Sequence, residues 1–80
     1  MTKNSSDKAR KRKAIQTVFW SQVGAAEHIN MPKLEAAIKK EFRTDNGRLI
    51  EEQVHLMQTE GRIRIQNKSK VWVRAPEDDP

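Results

Sequence analysis

The feature that most constrains the fold of this chain is the join at Gly61 between two different residue patterns. Residues 49–60 carry apolar side chains at helical spacing, whereas residues 62–74 alternate apolar and polar side chains as strands do. Glycine readily adopts the left-handed conformation that ends many helices. Residues 67–70 interrupt the alternating segment and predict the loop of a hairpin. The sequence therefore predicts a helix that ends at Gly61 and leads directly into two antiparallel strands.

The predicted hairpin is strongly basic. Alternation places the isoleucines and valines on a core face and the arginines on the opposite, open face, together with Trp72. The segment has five Lys/Arg and no Asp/Glu, the basic residues being Arg62, Arg64, Lys68, Lys70 and Arg74. Phosphate backbone is the commonest partner of such a surface. The alternative is that these charges only protect an edge strand from aggregation.

Length and composition limit what the chain can be. Its 80 residues predict one domain over residues 7–75, with a polar tail at 1–6 and an acidic tail at 76–80. There is no cysteine, which excludes disulfides, thiolate zinc sites and a cysteine nucleophile. No apolar stretch approaches the roughly 20 residues of a membrane span. We expect an intracellular protein, nuclear in a eukaryote and otherwise in the cytoplasm or nucleoid.

The net charge of +5 hides a strong segregation along the sequence. Residues 1–13 and residues 62–74 each carry +5, whereas residues 14–61 carry −2 and residues 75–80 carry −3. Positive charge is therefore concentrated at the N-terminus and in the predicted hairpin.

Three helices are predicted before the hairpin. The first spans about residues 7–22 and ends before Gly24, with an apolar stripe formed by Ala14, Ile15, Val18 and Phe19. The second spans about residues 31–42, with Asn30 as its N-cap and Pro32 in its first turn. Residues 28–30 are expected to form a short strand that pairs with the hairpin. Residues 43–47 contain an Asn-Gly turn signal and precede the third helix.

The first turns of the first helix are also basic. The run consists of Lys8, Arg10, Lys11, Arg12 and Lys13. It has three interpretations, namely a DNA-contacting arm, a nuclear import signal or a solvated helix face.

This order of elements predicts an α+β fold with three helices packed on a small antiparallel sheet, and it resembles winged helix-turn-helix domains. Residues 29–34 with Ala37 and Ile38, and residues 54–58 with the hairpin strands, are similar to the C-terminal winged helix of minichromosome maintenance replicative helicase subunits. The similarity covers roughly residues 14–74 and implies a DNA-binding accessory domain in DNA replication. The chain has no Gly-x-x-x-x-Gly-Lys-Ser/Thr phosphate loop, so the resemblance implies an excised or stand-alone domain without the ATPase.

In helix-turn-helix proteins the second helix of the motif reads the major groove. Here the exposed positions of the third helix include Arg48 and His55, which suit phosphate or base contacts, but also Glu51 and Glu52, which repel phosphate. We therefore expect duplex DNA to be bound mainly through phosphates, by the hairpin, the third helix and the N-terminal run, in transcription regulation or DNA replication.

Two alternatives from other classes stay open. One is a winged helix that binds a protein partner, which the two glutamates favour. The other is RNA or single-stranded binding with stacking on Trp72, although that indole is also explained by packing on neighbouring side chains. The sequence predicts no catalytic residues, metal ligands, cofactor, membrane contact or small-molecule substrate.

Overall fold

A computed structural model describes residues 7–76 of the chain. Three helices and three strands follow one another in the order α1 (Asp7–Val23), β1 (Ile29–Asn30), α2 (Met31–Phe42), α3 (Gly47–Thr59), β2 (Ile63–Gln66) and β3 (Lys70–Val73). The predicted α+β class, with three helices on a small antiparallel sheet, is confirmed. The predicted tails fall outside the described residues except for Pro76.

The sheet has the strand order β1-β3-β2, and both pairings are antiparallel. Ile63 pairs with Val73 and Ile65 with Val71 in the hairpin, and Ile29 pairs with Val71 from the other side. The predicted short strand before α2 is therefore present. It places β3 in the centre of the sheet.

One hydrophobic core joins all three helices to one face of the sheet. Its fully buried centre includes Leu34 and Ile38 of α2, Met57 of α3 and Val71 of β3. Side chains alternate across a strand, so residues between these buried positions lie on the opposite, open face of the sheet. The core packs against one face of the sheet, and Arg64, Gln66 and Lys70 on the opposite face are exposed.

The predicted apolar stripe of α1 is half wrong. Ile15 and Phe19 are buried, but Ala14 is exposed and Val18 is 53% exposed. The inward face of the helix instead continues through Arg12 and Gln16, which are 6% and 3% exposed. Two polar side chains thus take positions that apolar side chains were expected to fill.

The predicted helix boundaries are correct to within two residues, but the caps differ. Gly24 and Gly61 have φ of +58° and +76° and follow α1 and α3 as expected. The side chain of Asn30 makes no capping bond, and the backbone N–H of Met31 donates instead to the carbonyl of Ser69 at 3.0 Å. Asn46 does cap its own helix, α3, because its Oδ1 accepts hydrogen bonds from the first backbone amides of α3. The Asn-Gly pair therefore starts a helix rather than forming a separate turn.

Within residues 7–76, no helix is long and apolar enough to cross a membrane.

Candidate nucleic-acid interface

The open face of the sheet carries two rows of polar side chains that run across the strands. In the first row Trp72 of β3 lies opposite Arg64 of β2, and the β1–β3 register, extended by one residue, places His28 on its other side. In the second row Lys70 is paired with Gln66 on one side and Asn30 on the other. The indole therefore lies at the centre of its row, with Arg64 beside it and Lys70 in the neighbouring row.

The indole of Trp72 is held in one orientation. Its Nε1–H donates to Oε1 of Gln66 at 3.0 Å, and its ring centroid lies 5.3 Å from that of His28 at an interplanar angle of 53°. Such a tilted contact is a favourable geometry for aromatic pairs. Packing on neighbouring side chains, the alternative to base stacking, therefore covers part of the indole, and the residue remains partly exposed.

A shallow recess of about 550 Å³ lies against this indole. It is lined by Ala25, Arg64, Gln66, Trp72, Val73 and Arg74. Two of these residues are arginines and none is acidic. Neither Arg64 nor Arg74 forms a side-chain ion pair or hydrogen bond with any part of the chain that the structure describes.

The hairpin tip adds two further cations. Lys68 and Lys70 are exposed and have no ion-pair partner within residues 7–76. The loop is tight, with Ser69 N–H donating to the Gln66 carbonyl at 3.3 Å and with positive φ at Asn67 (56°) and Lys68 (63°). Asparagine tolerates this left-handed region, whereas lysine is strained there. The tip therefore holds a lysine where glycine would fit with less strain.

Two other predicted cations are used inside the fold. Arg12 of α1 forms a bidentate ion pair with Glu60, at 2.7 and 3.1 Å, and donates to Oε1 of the buried Gln53 at 2.6 Å. Arg62 donates to the same Glu60 at 2.7 Å and to Oε1 of Gln16 at 3.0 Å. The expectation that Arg62 lies along the open face is wrong, and so is a fully solvated face for the N-terminal run. We call these five side chains the internal cluster.

Burial alone raises the pKa of the Glu60 carboxyl, but the hydrogen bonds and positive charges of Arg12 and Arg62 outweigh burial. The pKa of Glu60 is consequently held below its ordinary value. Glu60 is ionised at neutral pH, and its single negative charge is shared between the two guanidinium groups, so two positive charges and one negative charge leave a net charge of +1.

The rest of the N-terminal run is divided between the surface and neighbouring elements. Lys8 and Arg10 are exposed. The Nζ of Lys11 lies 5.4 Å from the ring centroid of Phe42, a cation–π contact that ties α1 to the end of α2. Lys13 is partly buried beside Gln16 and Gly61. Lys13 also lines a recess with Arg62 and Arg74, so the end of the run lies beside the base of the hairpin.

The outer face of α3 is mixed in charge. Arg48 and His55 are exposed as predicted, and so are Glu51 and Glu52 between them. Since the two carboxylates outnumber the single arginine, this face repels a phosphate backbone.

His28 and Gln66 are partners of Trp72 that the alternation of residues 62–74 alone does not predict. The signal for them is the strand register, because residues opposite one another across antiparallel strands share a face. No cluster of metal-ligating side chains occurs among residues 7–76.

Comparison of the chain with protein-family models, with curated proteins and with solved structures gave no match. The resemblance to minichromosome maintenance subunits therefore stays a prediction.

Proposed function

We propose that this chain is a nucleic-acid-binding module of the winged helix-turn-helix type, with α2 and α3 as the helix-turn-helix and the β2–β3 hairpin as the wing. The observation that carries the proposal is the hairpin surface formed by Arg64, Lys68, Lys70 and Arg74, which we call the cationic surface. Its four charges have no carboxylate partner within the described residues. Unpaired cations clustered on one side of a small domain attract phosphate and release its counterions on binding.

The contrast with the internal cluster supports this assignment. The two arginines of the internal cluster are paired with Glu60, with distances of 2.7 Å to each guanidinium. Those on the cationic surface contribute no such contact to the fold. Charges that protect an edge strand belong on β2, which is an edge of the sheet, but Lys70 lies on the central strand β3. Edge protection therefore does not account for its position.

We do not propose that α3 reads base sequence, because Glu51 and Glu52 lie on its outer face. Binding by phosphate contacts alone is insensitive to base sequence. A role in transcription regulation or DNA replication stays a prediction from the resemblance.

The test is the salt dependence of binding to labelled duplex and single-stranded oligonucleotides. Lys68→Ala combined with Lys70→Ala removes two phosphate contacts and is expected to lower the slope of log Kobs against log salt by roughly two for duplex, slightly less for single strands. Lys39→Ala with Lys40→Ala is the charge-matched control, since these exposed residues lie on the last turns of α2, roughly 12 Å along its axis from the end near the hairpin tip. Equal slopes for the two double variants would contradict the proposal.

A protein partner is the second candidate, and a recess between α1 and α2 favours it. The recess is lined by Ile15, Val18, Phe19, Ala37, Lys40 and Glu41. Val18 is the one large apolar side chain among residues 7–76 that is more than half exposed. Absence of binding to either oligonucleotide at micromolar protein and near-physiological salt would favour this candidate.

A further inference from the structure

We infer that the cationic surface takes a single strand of nucleic acid, with one unpaired base stacked on Trp72 and its neighbouring phosphates at Arg64 and Arg74. This inference rests on the proposed function and adds the class of nucleic acid. Three features of the site support it, namely the position of the indole, the fixed orientation of its ring and the charges around it.

The position of Trp72 has no explanation in the core. The residue lies on the face of the sheet opposite to the core and is partly exposed, whereas its neighbours in sequence, Val71 and Val73, are 0% and 4% exposed on the core face. An aromatic ring left partly exposed on a sheet is able to stack on any base, because every base has a π-face.

The orientation of the ring is fixed before any ligand arrives. The hydrogen bond to Gln66 and the contact with His28 both restrict rotation of the indole. A rotamer that is already ordered loses little conformational entropy when a base stacks on it. The recess of about 550 Å³ leaves room beside the ring, and its lining brings Arg64 and Arg74 to the same place.

The arrangement suits an unpaired base rather than a duplex. Bases in a duplex are stacked on one another and present only their edges in the grooves. The outer face of α3, the helix that would enter the major groove, carries Glu51 and Glu52. A single strand offers both a base for Trp72 and flexible phosphates for the two arginines.

Fluorescence of Trp72 tests the inference directly. In a Trp20→Phe background Trp72 is the remaining tryptophan of the chain. We expect a thymidine oligonucleotide about 12 nucleotides long to quench this fluorescence, saturating at the concentration where fluorescence anisotropy shows binding. A duplex of the same length is expected to leave the fluorescence largely unchanged. A uridine oligonucleotide in a parallel titration distinguishes DNA from RNA.

Two variants complete the test. Trp72→Leu keeps an apolar side chain on the sheet, and we expect it to weaken single-strand binding about tenfold while duplex binding changes by less than about twofold. Trp72→Phe keeps a ring, and an intermediate loss is expected. If Trp72→Leu fails to fold by circular dichroism, Trp72→Phe and the quenching titration decide the matter.

The failures of the two proposals are distinguishable. Single-strand affinity unchanged in Trp72→Leu, or equal quenching by duplex and single strand, overturns the stacking site. If the Lys68/Lys70 double variant still lowers the salt slope in that case, phosphate binding by the cationic surface stands. Absence of binding to all oligonucleotides overturns both.

Discussion

The internal cluster and the cationic surface are two arginine-containing regions of one small domain, and they differ in what surrounds the positive charge. In the internal cluster a single carboxylate, Glu60, joins Arg12 of α1 to Arg62 at the start of the hairpin. On the cationic surface, two residues further along the same strand, Arg64 has no carboxylate partner within residues 7–76. The comparison shows that a basic run in a sequence is not one functional unit. Each charge has to be assigned by its partners.

The internal cluster also determines how α1 is attached. Gln16 donates to the carbonyl of Arg74 at 2.8 Å and accepts from Arg62, so α1 is tied to both ends of the hairpin. Arg12 reaches Gln53 in the middle of α3. The Nε2 of Gln53 is buried and has no hydrogen-bond partner among the described residues, and an unpaired buried donor costs about 1–3 kcal/mol. We therefore assign the cluster a role in specifying the helix arrangement rather than one of maximal stability.

The largest expected effect is a loss of unfolding free energy when the internal cluster is disrupted. Arg12→Ala removes a 6%-exposed side chain and leaves Glu60 and Gln53 without their partner, so the free energy of unfolding is expected to fall by about 3 kcal/mol. Arg10→Ala, on the exposed side of the same helix, is the control and is expected to change it by less than about 0.5 kcal/mol. Urea denaturation measures both. Similar losses in the two variants would mean that the internal cluster does not stabilise the fold.

The next effect depends on pH. Because the pKa of Glu60 is lowered in the folded protein, its stabilisation is fully present above the unfolded-state value of about 4.3 and is lost as pH falls through the folded value. Glu60→Gln is expected to cost about 1 kcal/mol at neutral pH, a figure reduced for solvent screening because the Glu60 side chain is 27% exposed. The difference from the parent protein should narrow as pH falls below about 4.3, as measured by urea denaturation from neutral to acidic pH.

Glu41→Gln provides the control for the pH series, since Glu41 is exposed and forms no ion pair within the described residues. Its unfolding free energy should follow that of the parent at every pH. A Glu60→Gln deficit that is constant from neutral to acidic pH would show that the ion pairs are not the source of the effect.

The smallest expected effect concerns the cationic surface, where a change at the hairpin tip alters stability and affinity in opposite directions. Lys68→Gly relieves a left-handed lysine, so we expect the free energy of unfolding to rise by about 0.5 kcal/mol while nucleic-acid affinity falls with the lost charge. Asn67→Gly is the matched control, because it relaxes the neighbouring positive-φ residue without removing a charge. It should leave affinity unchanged. If the two variants changed the free energy of unfolding by similar amounts and also changed the nucleic-acid affinity by similar amounts, the result would argue against a phosphate contact at Lys68.

Much of the fold follows from the sequence because the signals are local. Gly61 and the alternation after it predict the end of α3 and the hairpin, and the stripe of α2 predicts the buried Leu34 and Ile38. Strands β2 and β3 are adjacent both in sequence and in the sheet, whereas the β1–β3 pairing joins strands that are distant in sequence. Periodicity is sufficient for such elements because each depends on one face being apolar.

The internal cluster was missed because periodicity was applied to apolar residues alone. Arg12, Gln16 and Phe19 have the same helical spacing as the predicted stripe, and Gln53 has that spacing from Met57. Polar residues at inward positions are a signal for a buried hydrogen-bonded network. Their partners remain unpredictable from spacing, because Arg12 and Glu60 are 48 residues apart and meet only when the helices pack.

The most direct test of the account is the mapping of backbone amide chemical shifts as a single-stranded oligonucleotide is added. We predict concentration-dependent shifts at Arg64 and across residues 68–74, with the amides of Glu51 and Glu52 on α3 unaffected. Shifts concentrated on α3 or in the recess between α1 and α2, with residues 68–74 unchanged, would contradict the assignment of the cationic surface as the binding site.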